Sequence, residues 1–169
     1  MSVQHDTTAP AETGARHLIG EREFEAVTAA VRTNNPGMSD DVAARIVAEA
    51  LAFVDACAKP HSRGLRPSRT VDEGWHALIL HTRVYAELCG RLGRFVHHVP
   101  EPPNPGRYDA GELERTQLAI ATAGYRPDPL LWLPPTDTTI PVAASCQHSD
   151  GPEGTCTGDP DGDGSGGPN

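Results

Sequence analysis

The chain has 169 residues, of which 37% are hydrophobic, 5% aromatic and 22% charged, and its formal charge is -9. That length fits one domain with one core built mostly from Leu, Val, Ile and Ala, and excludes a large multidomain enzyme. Six acidic residues (Asp137, Asp150, Glu153, Asp159, Asp161, Asp163) and no Lys or Arg follow position 135, so the preceding body carries only -3 and offers no broad face to nucleic acid.

No apolar run approaches the roughly 20 residues that span a bilayer. The opening MSVQHDTTAPAETGAR lacks the charged start and apolar stretch of a signal peptide. The expectation is a soluble, cytoplasmic protein with no membrane partner. Cys57, Cys89, Cys146 and Cys156 form no CxxC pair and read as reduced thiols in that compartment.

Residues 1–17 show no hydrophobic periodicity and are expected to form a flexible N-terminal arm. A first helix is predicted over about 20–33, where Phe24, Val27 and Val31 recur at helical spacing and Asn34-Asn35-Pro36-Gly37 ends it. Ser39 caps a second helix with Asp40 and Asp41 in its first turn, and Val42, Ile46, Ala50, Phe53, Val54 and Cys57 form its apolar stripe up to Lys59-Pro60. The connector 59–69 is basic and stiff. Thr70 is the expected cap of a third, central helix running to about Leu92, with Glu73 as its capping-box partner and Gly93 as its stop. Residues 94–99 then return along that helix as a short extended segment.

After a Pro-rich loop, a fourth helix from Asp109 or Ala110 to about Ala123 places Leu113, Gln117, Ile120 and Ala121 in register. Leu130, Leu131 and Trp132 are expected to pack over the bundle. The predicted fold class is all-α, a compact bundle of about four helices over residues 18–135, with a disordered acidic Gly/Pro-rich C-terminal tail over 136–169.

Four of the eight histidines fall between Trp75 and Pro100. Asp72 and His76 stand at i and i+4, one turn apart on one helix face, so a carboxylate and an imidazole can ligate together or hold each other. His81 lies about 140° further round that helix and cannot share a mononuclear site with His76. If the segment 94–99 folds back, one of His97 and His98 meets His76 and Asp72, while the other points away because extended side chains alternate. Asp72, His76, His97 and His98 are therefore the candidate metal ligands, and a His, His and Asp set suits zinc or iron with an open coordination position. Trp75, His81, Tyr85 and Cys89 complete the candidate set. Trp75 and Tyr85 also fit the core face, and a Cys89 nucleophile would need His81 or His98 as its base.

Elsewhere, Asp159-Pro160-Asp161-Gly162-Asp163-Gly164 matches the opening of a calcium loop but lacks its closing Glu and flanking helices, so it reads as a solvated acidic tail. The basic loop 59–69 and that tail are the surfaces expected to meet a protein partner.

The string LRPSRTVDEGWHALILHTRVYAELCGRLGRFVHHVP over residues 65–100 resembles the glycine-rich domain-containing protein-like family, whose pattern is approximately VDxxWHxHIL-T-Y-FC-G-F-HH-P. Val71, Asp72, Trp75, His76, Ile79, Leu80, Thr82, Tyr85, Cys89, Gly93, Phe95, His97, His98 and Pro100 carry the resemblance. Leu78 stands where family members often have a second His, which under this resemblance implies a reduced or rebuilt site that draws on His81. The resemblance implies no general reaction, and would make the acidic Gly-rich tail a short counterpart of that family's glycine-rich segment. Two functions are expected from the sequence. One is a small helical protein whose histidine cluster binds a divalent metal and supports accessory or enzymatic chemistry; the other is a non-enzymatic interaction module with structural histidines.

Overall fold

Five α-helices carry the fold among the residues that the computed structural model describes, namely 14–60, 62–101, 109–144, 147–148 and 158–159. They are α1 (Glu21–Asn34), α2 (Asp40–Ala58), α3 (Arg69–Leu80), α4 (Thr82–Leu92) and α5 (Ala110–Thr122). Four two-residue strands accompany them: β1 (Phe95–Val96) pairs antiparallel with β4 (Gly158–Asp159), and β2 (Pro100–Glu101) with β3 (Gln147–His148). The all-α expectation holds.

The central element is α2 and not the third helix. The Ser39 hydroxyl accepts from the Val42 amide at its start, as expected, and every residue from Glu49 to Ala58 is buried. A helix apolar on all sides belongs in the middle of a bundle. Against it lie α1 through Phe24, Val27 and Val31, and α3 through Val71, Trp75 and Leu78. Gly74 permits the closest approach: a Cβ there would stand 2.8 Å from the Ile46 carbonyl oxygen and 3.0 Å from the Ala50 methyl. The Trp75 ring consequently meets Phe53 edge-on, with centroids 5.0 Å apart.

The single long helix expected from Thr70 to Leu92 is broken at His81, whose backbone (φ -84°, ψ 63°) leaves the helical region. The His81 Nδ1 contacts the Ala77 carbonyl oxygen at 2.7 Å, an oxygen that also accepts the His81 backbone N–H. A helical periodicity on both sides conceals such a break, since neither Gly nor Pro marks it. The start also differs from the sequence reading. Ser68, not Thr70, is the cap, accepting from the Val71 amide while its own hydroxyl donates to the Leu131 carbonyl.

Glu73 is not a capping-box partner. It is buried, and its two oxygens accept from Asn35 Nδ2 at 2.8 Å and from the Ala144 amide at 2.6 Å. Asn35 in turn accepts from the Ala143 amide at 2.7 Å. The segment 137–144, expected to open the disordered tail at Thr136, is thereby laid against the body, with Ala144 buried. Beyond the short strands, the rest of the expected tail lies outside the described residues, as does almost all of the calcium-like loop.

Ala15–Leu18 forms a 3-10 turn with Ala15 buried, so the expected arm of 1–17 ends earlier; residues 1–13 lie outside the described ones. On α5 the buried positions are Leu113, Thr116 and Ile120, while Ala121 is exposed. Leu131 and Trp132 pack inward as expected, but Leu130 is exposed. Trp132 is anchored by its indole N–H, which donates to buried Glu49 at 2.8 Å, and Arg45 holds Asp128 at 2.8 Å just before it. No helix among the described residues is long and apolar enough to cross a membrane.

Candidate metal centre

Two elements build the site. The N-terminal two-thirds of α3 presents Asp72 and His76 on one face, as i, i+4 spacing dictates. The extended segment after α4 supplies His98. Gly93, with φ 74°, closes α4 in the left-handed conformation that glycine adopts without a Cβ penalty, and so turns the chain back toward α3. Val96 is buried and Phe95 faces outward, so the alternation of this segment carries His98 inward and His97 outward.

Four ligand-type atoms from three residues converge. His98 Nε2 stands 2.7 Å from His76 Nε2 and 3.0 Å from Asp72 Oδ1, and His76 Nε2 is 3.4 Å from Asp72 Oδ2. Asp72 and His98 are nearly closed off, with side chains 2% and 8% exposed, while His76 keeps 32% and forms the open side. This is the one cluster of three or more His, Cys, Asp or Glu with metal-compatible spacing among the described residues.

Protons on the two imidazoles cannot bridge all three of these contacts at once. Each Nε2 carries either one proton or one lone pair. If both nitrogens donate to Asp72, the 2.7 Å contact between them has no proton; if His76 donates to His98, the contact of His98 with Asp72 has none. At most two of the three edges are bridged in any tautomer. A cation between the atoms accepts all three lone pairs at once. Ligands about 2.0–2.1 Å from one metal ion stand roughly 2.9–3.4 Å apart at bond angles of 90–109°. The 3.0 Å from His98 Nε2 to Asp72 Oδ1 falls in that range, and a few tenths of an ångström of ring movement brings the 2.7 Å contact between the imidazoles into it.

Other candidates from the sequence lie elsewhere. His97 stacks near Phe95, centroids 4.7 Å apart, and is exposed. His81 is occupied with the Ala77 carbonyl at the break between α3 and α4. Cys89 is buried, and burial pushes its thiol pKa up, the opposite of what a nucleophile needs. Trp75 and Tyr85 are buried beside the site: the Trp75 ring lies 4.6 Å from that of His98, and its indole N–H donates to the Tyr85 hydroxyl at 2.9 Å. In the basic connector, Lys59 pairs with Asp55 at 2.6 Å and Arg66 with Glu112 at 3.4 Å, so two of its cations are matched within the chain. The sequence reading missed Asn35 and Ser68. Asn35 reads locally only as a helix stop, because the partners that tie it to Glu73 and Ala143 lie 38 and 108 positions away.

A family model described as UCP032817-like matches residues 15–105, more than half of the chain, and the chain belongs to that family. This corrects the resemblance drawn from residues 65–100 to the glycine-rich domain-containing family. The matched range takes in α1 and α2 as well as the histidine segment, and it ends before the glycine-rich tail. No curated protein and no solved structure matches the chain.

Proposed function

We propose that this member of the UCP032817-like family is a mononuclear metal protein in which Asp72, His76 and His98 hold one divalent transition-metal ion, zinc or ferrous iron. The observation that supports this reading is the convergence of two imidazole nitrogens on a buried carboxylate, with contacts of 2.7–3.4 Å. Two imidazoles and one carboxylate suit either ion and leave further coordination positions free. The ion would supply Lewis acidity, polarising an oxygen ligand on the His76 side, where the site meets solvent.

The protein's own part is to fix and enclose. Asp72, held within α3, brings the negative charge that makes a divalent ion favourable in a half-buried position. The buried Trp75 ring packs against His98 at a tilt, with centroids 4.6 Å apart. His76, the most exposed ligand, borders the route by which a metal or an external ligand arrives.

Metal analysis of the purified chain tests the reading. The expected result is about one zinc or iron per chain in the unaltered protein and its loss in a folded His76→Ala variant. A folded, metal-free protein that takes up neither ion from excess salt would overturn it.

A further inference from the structure

The three ligands come from two elements, and a metal-binding triangle spread over two elements is only as tight as the tie between them. Asp72 and His76 move with α3; His98 moves with the segment that starts at β1. We infer that Tyr85 is the positioning residue that sets the distance of His98 from the other two ligands, through a buried hydrogen-bond relay running from Trp75 to Tyr85 to Val96; the inference rests on the metal reading above.

The relay is directional, and the buried Cys89 thiol lies against both Tyr85 and Val96. The Trp75 indole N–H donates to the Tyr85 hydroxyl at 2.9 Å, and that hydroxyl donates to the Val96 carbonyl oxygen at 2.5 Å. Trp75 sits between Asp72 and His76 in the sequence, and Val96 sits two residues before His98. One end of the relay therefore belongs to the ligand-bearing helix and the other to the ligand-bearing strand. Trp75 and Val96 are fully buried and Tyr85 nearly so, and the shortest relay contact is the one to the strand. Burial keeps the phenol protonated far above neutral pH, so it remains a donor under all ordinary conditions.

The break at His81 makes the relay geometrically feasible. On an unbroken helix the Cα atoms of residues 75 and 85 would stand about 15 Å apart, beyond the reach that brings an indole nitrogen and a phenol oxygen into contact. The departure of His81 from helical geometry folds α4 back and delivers Tyr85 to Trp75. The same indole also packs on the His98 ring, so the relay fixes both the strand that carries the ligand and the face of its imidazole. Groups that orient metal ligands from outside the coordination shell typically contribute 10–100-fold in affinity.

The test uses the full chain and cobalt(II), whose visible bands report coordination geometry, with zinc in competition for affinity. Tyr85→Phe removes the hydroxyl and leaves the ring. Tyr125→Phe is the matched control, since Tyr125 also donates from a partly buried phenol, to Asp55 at 2.7 Å, away from the site. Tyr85→Phe is expected to weaken cobalt about tenfold and shift its bands, while Tyr125→Phe leaves both unchanged. Equal affinity and identical bands in wild type and Tyr85→Phe would overturn the inference, as would equal losses in both variants. Failure of the wild type to bind cobalt or zinc at all instead overturns the metal reading beneath it. If Tyr85→Phe does not fold, proton exchange in the wild type decides. Zinc is expected to slow exchange of the Trp75 indole proton more than that of Trp132, and equal slowing would overturn the inference.

Discussion

Asp72 and Glu73 are neighbours on α3, both almost fully buried, yet they face chemically different company. Around Glu73, the amide of Asn35 and the backbone N–H of Ala144 both donate, and neither can do anything else. Beside Asp72 stand two imidazole nitrogens that can each be a donor, a lone pair or a ligand. A carboxylate surrounded by obligate donors is a clamp. One surrounded by groups that can exchange a proton for a metal is a site. The contrast separates structure from function without any appeal to which residue is the more buried.

Breaking the clamp carries the largest predicted effect. Glu73→Ala leaves the Ala144 amide without its acceptor and Asn35 Nδ2 with the Val31 carbonyl alone, and is expected to cost roughly 2–4 kcal/mol in chemical denaturation. Zinc affinity per folded molecule should persist in that variant. Loss of metal binding with little loss of stability would reverse the roles assigned to the two acids.

Breaking the site is next in size and shows itself only with metal present. If the site binds zinc, a hundredfold excess over the dissociation constant should raise the stability of the native chain by about 2.7 kcal/mol. In Asp72→Ala that increment should vanish, as read by denaturant melts with and without zinc. An increment of the same size in both proteins would remove Asp72 from the ligand set.

The smallest effect concerns a third buried acid, which sharpens what a clamp does with pH. Glu49 accepts from the Trp132 indole at 2.8 Å and the Asp128 amide at 3.3 Å, but burial outweighs these bonds and raises its pKa. The folded state thus holds the Glu49 proton more tightly than the unfolded chain does. Its contribution is full at pH values below the ordinary carboxylate range and declines as pH rises through the raised folded value. Glu49→Gln cannot ionise, so the stability advantage of wild type over this variant should narrow as pH rises. A gap that widens with pH would show that the two hydrogen bonds dominate over burial.

Much of this was legible in the residues. Ser39 and Gly93 announce helix ends because their side chain, or its absence, solves a local problem of unsatisfied backbone groups. Asp72 and His76 announce a shared face because i, i+4 spacing fixes it, and alternation after Gly93 allows only one of His97 and His98 to face them. What stayed hidden depends on distant partners. Glu73 matches a capping-box pattern by coincidence, while its actual donors lie in the α1–α2 turn and near residue 144. The break at His81 leaves the helical periodicity intact on either side, so it shows only once Tyr85 is seen bonded to Trp75. Central placement of α2 was similarly obscured, since the third helix looked longer before it was divided.

The central claim is that three of the candidate ligands, and not four, form one metal site, and the adjacent histidines provide its sharpest test. Calorimetric titration of the metal-stripped chain with zinc should give one site in the wild type and in His97→Ala, and none in a folded His98→Ala variant. One-site binding that survives His98→Ala, or that is lost with His97→Ala, would contradict the account.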